Sequence, residues 1–296
     1  MNPDGCLPDE ALPGCFRSAD AASGRGQRRT VGLEVGRLAG VVLAVAAAAL
    51  GAVTSVPGWL VVTLGGLVVA LAAELVLLVA QPERDWYAGR ALAESAKTLA
   101  WCYAMGAPPF ALELDDADAV EVMVARLHRV DELGRDRLRV ELEPPWVTPA
   151  MTALRHAPFA ERRAAYLQGR TQRQHQWYAA RAQANRRRSR VVRAVLVGVE
   201  VLALVLATAG LAGGEPVAVV PVLAALVLAA LVVAGEAWWW LKQFPVLAVA
   251  YATTAAELVV QAAALAAVEE YDWPAAVVDA ERAISREHTL WVATRV

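Results

Sequence analysis

The sequence predicts an all-α membrane protein with four transmembrane helices in two hairpins and long helices extending into the cytosol. Three observations lead there. Residues 38–80 and 191–239 each hold two runs of about 18–24 mostly apolar residues, long enough for a hydrocarbon layer of ~30 Å at ~1.5 Å per residue. The 296-residue chain is 57% hydrophobic with a mean hydropathy of +0.40, above soluble norms. None of its 28 lysines and arginines lies in the hairpin turns, Thr54-Ser55-Val56-Pro57 and Gly213-Gly214-Glu215-Pro216. Basic residues confined to retained loops place both termini and the central segment in the cytoplasm. The expected location is the cell inner (plasma) membrane, crossed several times.

Taken in order, residues 1–11 carry Pro3, Gly5 and Pro8 and read as a mobile tail. Residues 12–133 form a first unit: a cytosolic helix running unbroken into the hairpin at 38–80, then cytosolic helices over Asp85–Met105 and Asp116–Leu133. Pro108-Pro109 ends the former, and the acids of Asp115-Asp116-Ala117-Asp118 suit the start of the latter. Residues 134–149, with Pro144, Pro145 and Pro149, read as a linker. Residues 150–296 form the second unit: a long helix without proline from Ala160 to Ala212, the hairpin at 191–239, and C-terminal helices over Val246–Tyr271 and Pro274–Thr294. Val246–Tyr271 is apolar enough to resemble a fifth crossing, but Glu257, Gln261, Glu269 and Glu270 argue against one. An internal repeat accompanies this order. A shift of 156 superposes Arg25 on Arg181, Gln27 on Gln183 and Arg37 on Arg193; a shift of 162 superposes Glu74 on Glu236 and Gln81 on Gln243.

Three stretches then carry a family resemblance. The first is Trp86-Tyr87-x-x-Arg90-x-x-x-Glu94-Ser95-x-Lys97-x-x-x-Trp101-x-Tyr103. The second runs Met151-x-x-Leu154-Arg155, Glu161-Arg162, Tyr166-Leu167, Arg170, Gln174, Trp177-Tyr178 and Asn185. The third is Ala280-Glu281-x-Ala283-Ile284-Ser285-Arg286-Glu287-His288-Thr289-x-Trp291. In this order they resemble a tandem of two SLATT units, the SMODS- and SLOG-associating two-transmembrane effector domains. The resemblance implies a helical membrane effector of prokaryotic conflict systems, in which a nucleotide signal from a partner enzyme triggers permeabilisation. The chain shows no nucleotidyltransferase and no Rossmann-like sensor segment, so the implied partner is a separate nucleotide-signal synthetase or sensor protein. Trp86, Arg90, Glu94, Lys97, Arg155, Tyr166, Arg170, Gln174, Trp177, Asn185, Glu281, Arg286, Glu287, His288 and Trp291 are the candidates for passing such a trigger to the membrane.

Enzyme motifs are missing: there is no GxSxG, phosphate loop or HExxH, and His128, His156, His175 and His288 are scattered. No enzyme activity and no cofactor or metal is expected. Asp115, Asp116 and Asp118 lack the later residues of a calcium loop, and Cys6, Cys15 and Cys102 lack metal-ligand spacing. The net charge of −2 excludes electrostatic binding of nucleic acid by the whole chain; the positive charge is local, at Arg186-Arg187-Arg188-Ser189-Arg190. That cluster reads either as a topology signal or as an anionic-lipid or nucleotide patch.

Acids inside the crossings carry the functional weight. Glu200 lies near the middle of the third crossing, with Arg193 seven residues earlier on nearly the same face. Glu74 and Glu236 occupy matching places near the ends of the second and fourth. A charge at mid-bilayer costs ~2.5–3.5 kcal/mol on insertion scales, so such a group faces protein or water. Two readings stand: Glu200, Glu74, Glu236 and Arg193 line an ion path, or they are packing residues, with Glu236 reaching the headgroups. Gly40 with Ala44, Ala47 with Gly51, and Ala225 with Ala229 have the small-xxx-small spacing of close helix pairs. The leading expectation is a homo-oligomeric pore-forming effector in the lipid bilayer. The alternative is a non-conducting scaffold that recruits cytosolic partners through its long helices; a transporter comes third, because no broken crossing marks a substrate site.

Overall fold

The structure, a computed structural model, describes residues 7–134, 144–213 and 218–293, excluding the side chains at 131, 133, 134 and from 285 onward. Within that range every long element is helical. They run α1 (Gly14–Thr54), α2 (Gly58–Ala80), α3 (Pro82–Met105), α4 (Asp116–Gly134), α5 (Pro149–Arg155), α6 (Phe159–Tyr166), a π-helical turn (Leu167–Gln172), α7 (Arg173–Gly213), α8 (Val219–Lys242), α9 (Phe244–Ala266) and α10 (Trp273–Ala293). Four stretches are long and apolar enough to cross a membrane: α1, α2, Phe159–Gly213 and Val219–Ala266. Most of the second outward turn and Cys6 lie outside the described residues.

The chain forms two compact units. One gathers α2 and α8 with the apolar parts of α1 and α7 (residues 29–81 and 181–250). In its first hairpin, α1 and α2 approach at backbone distance: a Cβ on Gly40 would stand 2.6 Å from the Gly66 carbonyl oxygen, and one on Gly66 2.6 Å from that of Gly40. Only residues without a side chain allow this approach. Ala44 and Ala70 flank the crossing. In the second hairpin the tight places are Gly210, against Val222 and Ala218, and Gly235, against Leu196; Ala229 is exposed. Leu60, Val61, Leu64, Leu78 and Val79 of α2 lie outward and exposed, as a lipid-facing surface requires.

The hairpins end alike. Gln81 closes α2 with φ 42° and Gln243 closes α8 with φ 48°, both left-handed. The Gln81 amide donates to the Leu77 carbonyl at 3.1 Å, and the Gln243 amide to the Trp239 carbonyl at 3.0 Å. Each caps the carbonyls that a helix end leaves unpaired. The break between α8 and α9 falls at Gln243, and Pro245 sits in the first turn of α9, where its missing N–H costs nothing.

The other unit combines residues up to 28, 82–180 and from 251 on. At its centre is α3, packed against α4, α5, α6 and α10. Alanines at 93, 96, 100 and 104 give α3 a narrow face with almost no exposure, and Trp101, Tyr103 and Met105 are fully buried. Its neighbours add Ala119, Met123 and Leu127 of α4, Met151 of α5, and Trp273 and Val277 of α10. Leu7 and Leu12 also join this core, so the chain is anchored from Leu7 onward rather than from the end of an eleven-residue tail.

Two further features differ from the sequence expectation. The long third helix is preceded by α5, which Thr148 caps by accepting from the Met151 amide at 3.3 Å, and it contains the π-helical turn. That turn buries Gly169, Arg170 and Thr171 in succession. A regular α-helix would spread three consecutive residues over ~200° of its circumference. The apolar stretch of α9 resembling a fifth crossing finds protein partners instead: Ala255 and Leu258 pack with Tyr178 and Ile284, and Leu265 enters the main core.

Candidate functional site

The membrane unit holds two matching ion pairs. Arg37 Nη1 donates to Glu74 at 3.0 Å, while its Nη2 and Nε donate to Glu34 at 2.7 and 3.0 Å. Arg193 Nη1 donates to Glu236 at 2.7 Å, and its guanidinium lies 5.4 Å from the Trp239 ring. These are the residues the internal repeat superposes, and each pair joins the start of one crossing to the end of the next. Glu74 and Glu236 therefore have basic partners within their own hairpins. Arg193 reaches Glu236 on α8 rather than Glu200 on its own helix.

Glu200 is different. It is exposed on α7 and makes no ion pair or hydrogen bond among the described residues. Counting from Arg193 it lies about 10 Å further along the helix axis. Arg186, Arg193 and Glu200 recur every seven residues, within ~20° per step of one line on the helix. Arg190, Val197, Leu204 and Leu211 follow four residues behind, and all seven are exposed; Leu204 and Leu211 are 65% and 84% open. Arg193 is held by Glu236 and Trp239 of α8; past it, Val197, Glu200, Leu204 and Leu211 continue the heptad spacing as an exposed seam in the apolar part of α7.

The unit centred on α3 gathers several of the candidate trigger residues. Arg170 and Glu281 form a forked pair: Arg170 Nε donates to Oε1 at 2.8 Å and Nη2 to Oε2 at 2.7 Å. The Tyr166 hydroxyl adds a bond to Oε1 at 2.9 Å and the Thr98 hydroxyl one to Oε2 at 2.7 Å. Both charged side chains are almost fully buried, at 1% and 2% exposure. Burial opposes the Arg170 charge, but the Glu281 carboxylate and its hydrogen bonds outweigh that and hold the guanidinium above its ordinary pKa. Burial, then Glu281, lifts the Tyr166 hydroxyl well above its usual value and pushes the nearby Cys102 thiol up to about 12. Trp101 and Trp273 pack edge-on against Tyr166, with ring centroids 5.6 and 5.7 Å away.

Arg155 serves the end of α3. Its Nη1 donates to the Tyr103 and Phe110 carbonyls at 3.2 and 2.7 Å, and its Nη2 to those of Ala111 and Leu114 at 2.6 and 3.2 Å. The Tyr103 carbonyl belongs to the last turn of α3 and the other three to the loop before α4, so a buried cation ties the helix end to its loop. Arg162 donates to the Met105 carbonyl, 3.1 Å away, and pairs with Glu270 at 3.2 Å; burial lowers its pKa.

The remaining candidates are dispersed. Trp86 stacks on Tyr87 at 5.2 Å, Arg90 pairs with Glu94 at 2.7 Å, and Lys97 pairs with Asp9 at 2.8 Å. Gln174 is half-buried, Trp177 meets Tyr251 edge-on at 5.6 Å, and Asn185 donates to the Arg181 carbonyl at 3.0 Å. The side chains of Arg286, Glu287, His288 and Trp291 lie outside the described residues. Sequence reasoning did not single out Thr98, Arg162 or Arg37 as functional residues. Arg37 had a signal, its place in the repeat; Thr98 had none. The described residues hold no group of three or more His, Cys, Asp or Glu placed to bind a metal.

Two apolar hairpins, each flanked by helices that pack in a separate unit, define a helical membrane protein of two hairpins in tandem. Two family models match it: SMODS and SLOG-associating 2TM effector domain 3 over residues 13–163, and domain 1 over residues 166–291. The chain belongs to the SLATT family, as a tandem of two such domains. No curated protein and no solved structure matches it.

Proposed function

We propose that this chain is a membrane effector that oligomerises and forms or gates a pore in a prokaryotic conflict or abortive-infection system, triggered by a nucleotide signal or a partner protein. Family membership makes it a two-transmembrane-type effector linked to conflict systems; the conduit is our reading. It rests on the exposed, unpartnered Glu200 inside the apolar stretch of α7. A carboxylate facing hydrocarbon costs ~2.5–3.5 kcal/mol, and facing water or another chain relieves that cost. Several copies joined along the seam place their Glu200 side chains around a common polar path, with both termini and the helical unit on the cytoplasmic side.

The test is leakage from liposomes carrying the full-length protein, with candidate nucleotides or a partner synthetase added. Activated protein releases ions, and Glu200→Leu changes the conductance while the protein still inserts. Conductance at background under every condition, with cytosolic partners retained in pulldowns, replaces the conduit with the scaffold reading.

A further inference from the structure

Five arginines crowd the eight residues that lead α7 into its apolar run: Arg186, Arg187, Arg188, Arg190 and Arg193. Arg193 is engaged by Glu236 and Trp239. The other four are exposed and make no ion pair among the described residues. Arg190 stands four residues from Arg186 and three from Arg187, spacings at which like charges on a helix repel. Something anionic is needed to make this arrangement favourable.

The first hairpin shows that the repeat does not require it. Its equivalent residues, 156 positions earlier, read Thr30-Val31-Gly32-Leu33-Glu34-Val35-Gly36-Arg37. Only Arg37 is basic there, and Glu34 neutralises it at 2.7 Å. Where the first hairpin has Glu34, the second has Arg190. The excess charge therefore belongs to the second hairpin.

Its depth is marked on α8. Trp238, Trp239 and Trp240 form an interfacial aromatic belt, and Lys242 lies 4.5 Å from the Trp238 ring. Arg193 bonds to this belt's level through Glu236 and Trp239. Arg190 then stands about 4.5 Å further out and Arg186 about 10 Å, against a headgroup layer of roughly 5–7 Å per leaflet. Arg190 falls within that layer, and Arg186 and Arg187, just beyond it, can reach back to lipid phosphates along their long side chains.

We propose that Arg186, Arg187, Arg188 and Arg190 form a collar that binds anionic phospholipid headgroups around the second hairpin. The collar requires only that the hairpin spans a membrane, not that the protein conducts. The test reconstitutes the full chain in phosphatidylcholine vesicles with traces of pyrene-labelled phosphatidylglycerol or phosphatidylcholine, and reads energy transfer from tryptophan. Wild type enriches the anionic probe roughly fivefold, the worth of one arginine near an anionic surface. Enrichment falls to parity in about 1 M salt, where the screening length is ~3 Å. The variant R186Q/R187Q/R188Q/R190Q loses it, and the corresponding lysine variant keeps most of it. Parity in wild type at low salt overturns the proposal, as does undiminished enrichment in the glutamine variant. Enrichment abolished by millimolar glycerol phosphate assigns the collar to a free phosphate and also overturns it. Should the glutamine variant fail to insert, the salt titration of wild type decides, and insensitivity to salt overturns the proposal. Lost leakage with intact enrichment counts against the conduit alone.

Discussion

Glu281 accepts four hydrogen bonds at 2.7–2.9 Å, two of them from Arg170. The remaining Arg170 nitrogen, Nη1, is buried with no partner among the described residues, so Glu281 is the counterion on which that charge depends. Removing one partner of such a pair leaves an uncompensated buried charge, while removing both does not. Glu281→Ala is expected to destabilise the protein by about 3–5 kcal/mol, and Arg170→Met with Glu281→Leu to cost markedly less, measured by denaturant unfolding in detergent. A double variant as damaged as the single one refutes this. Glu281 was a candidate in the sequence through the third stretch that carries the family resemblance, Ala280 to Trp291. Its pairing with Thr98 and Arg170 was not legible, because they lie 183 and 111 residues away and no local pattern links them.

At the scale of elements, close approach is set by glycine. The Gly40–Gly66 crossing has a counterpart in the unit centred on α3, where a Cβ on Gly26 would stand 2.6 Å from the Trp86 amide nitrogen and one on Gly89 2.8 Å from that of Ser23. Each contact is backbone, which cannot swing aside. Gly66→Val and Gly89→Val should each lower stability by about 1–3 kcal/mol, the usual cost of overpacking, whereas Gly65→Val, with open space at its Cβ, should lie close to wild type in thermal unfolding. Equal effects at Gly65 and Gly66 exclude this account. Helix boundaries were legible because prolines, acidic first turns and apolar periodicity are local. The pairing of Gly40 with Ala44 in the sequence marked a surface able to approach another helix; which partner it meets depends on α2 and its register. The π-helical turn had no signature in the sequence; it buries Arg170 against Glu281 of α10, a partner 111 residues away.

For the whole molecule, the reading turns on what lies across the α7 seam. Leu204→Cys, in a background with Cys6 replaced by serine, is expected to form disulfide-linked dimers in membranes, while Ala70→Cys, buried against Gly40, remains monomeric. Cys15 and Cys102 do not confuse the result: both are buried, and their thiols are raised to about 11 and about 12. No cross-link at Leu204, Thr208 or Leu211 removes the seam as a subunit contact. The four crossings and the duplicated order were readable from hydropathy and charge alone. How the chain shares itself between two units was not, because the unit centred on α3 draws on three separated segments.

That interleaving sets a timetable for biosynthesis. As the chain emerges from the ribosome, both hairpins are complete before α10 exists, and Arg170 precedes Glu281 by 111 residues. Until the last helix arrives, the nascent protein carries an arginine without its counterion and a core open along α3. Both hairpins are thus made before the core around α3 can close. A chain that stops short of α10 leaves Arg170 without Glu281 and the α3 core without Trp273 and Val277, so closing this core waits on α10.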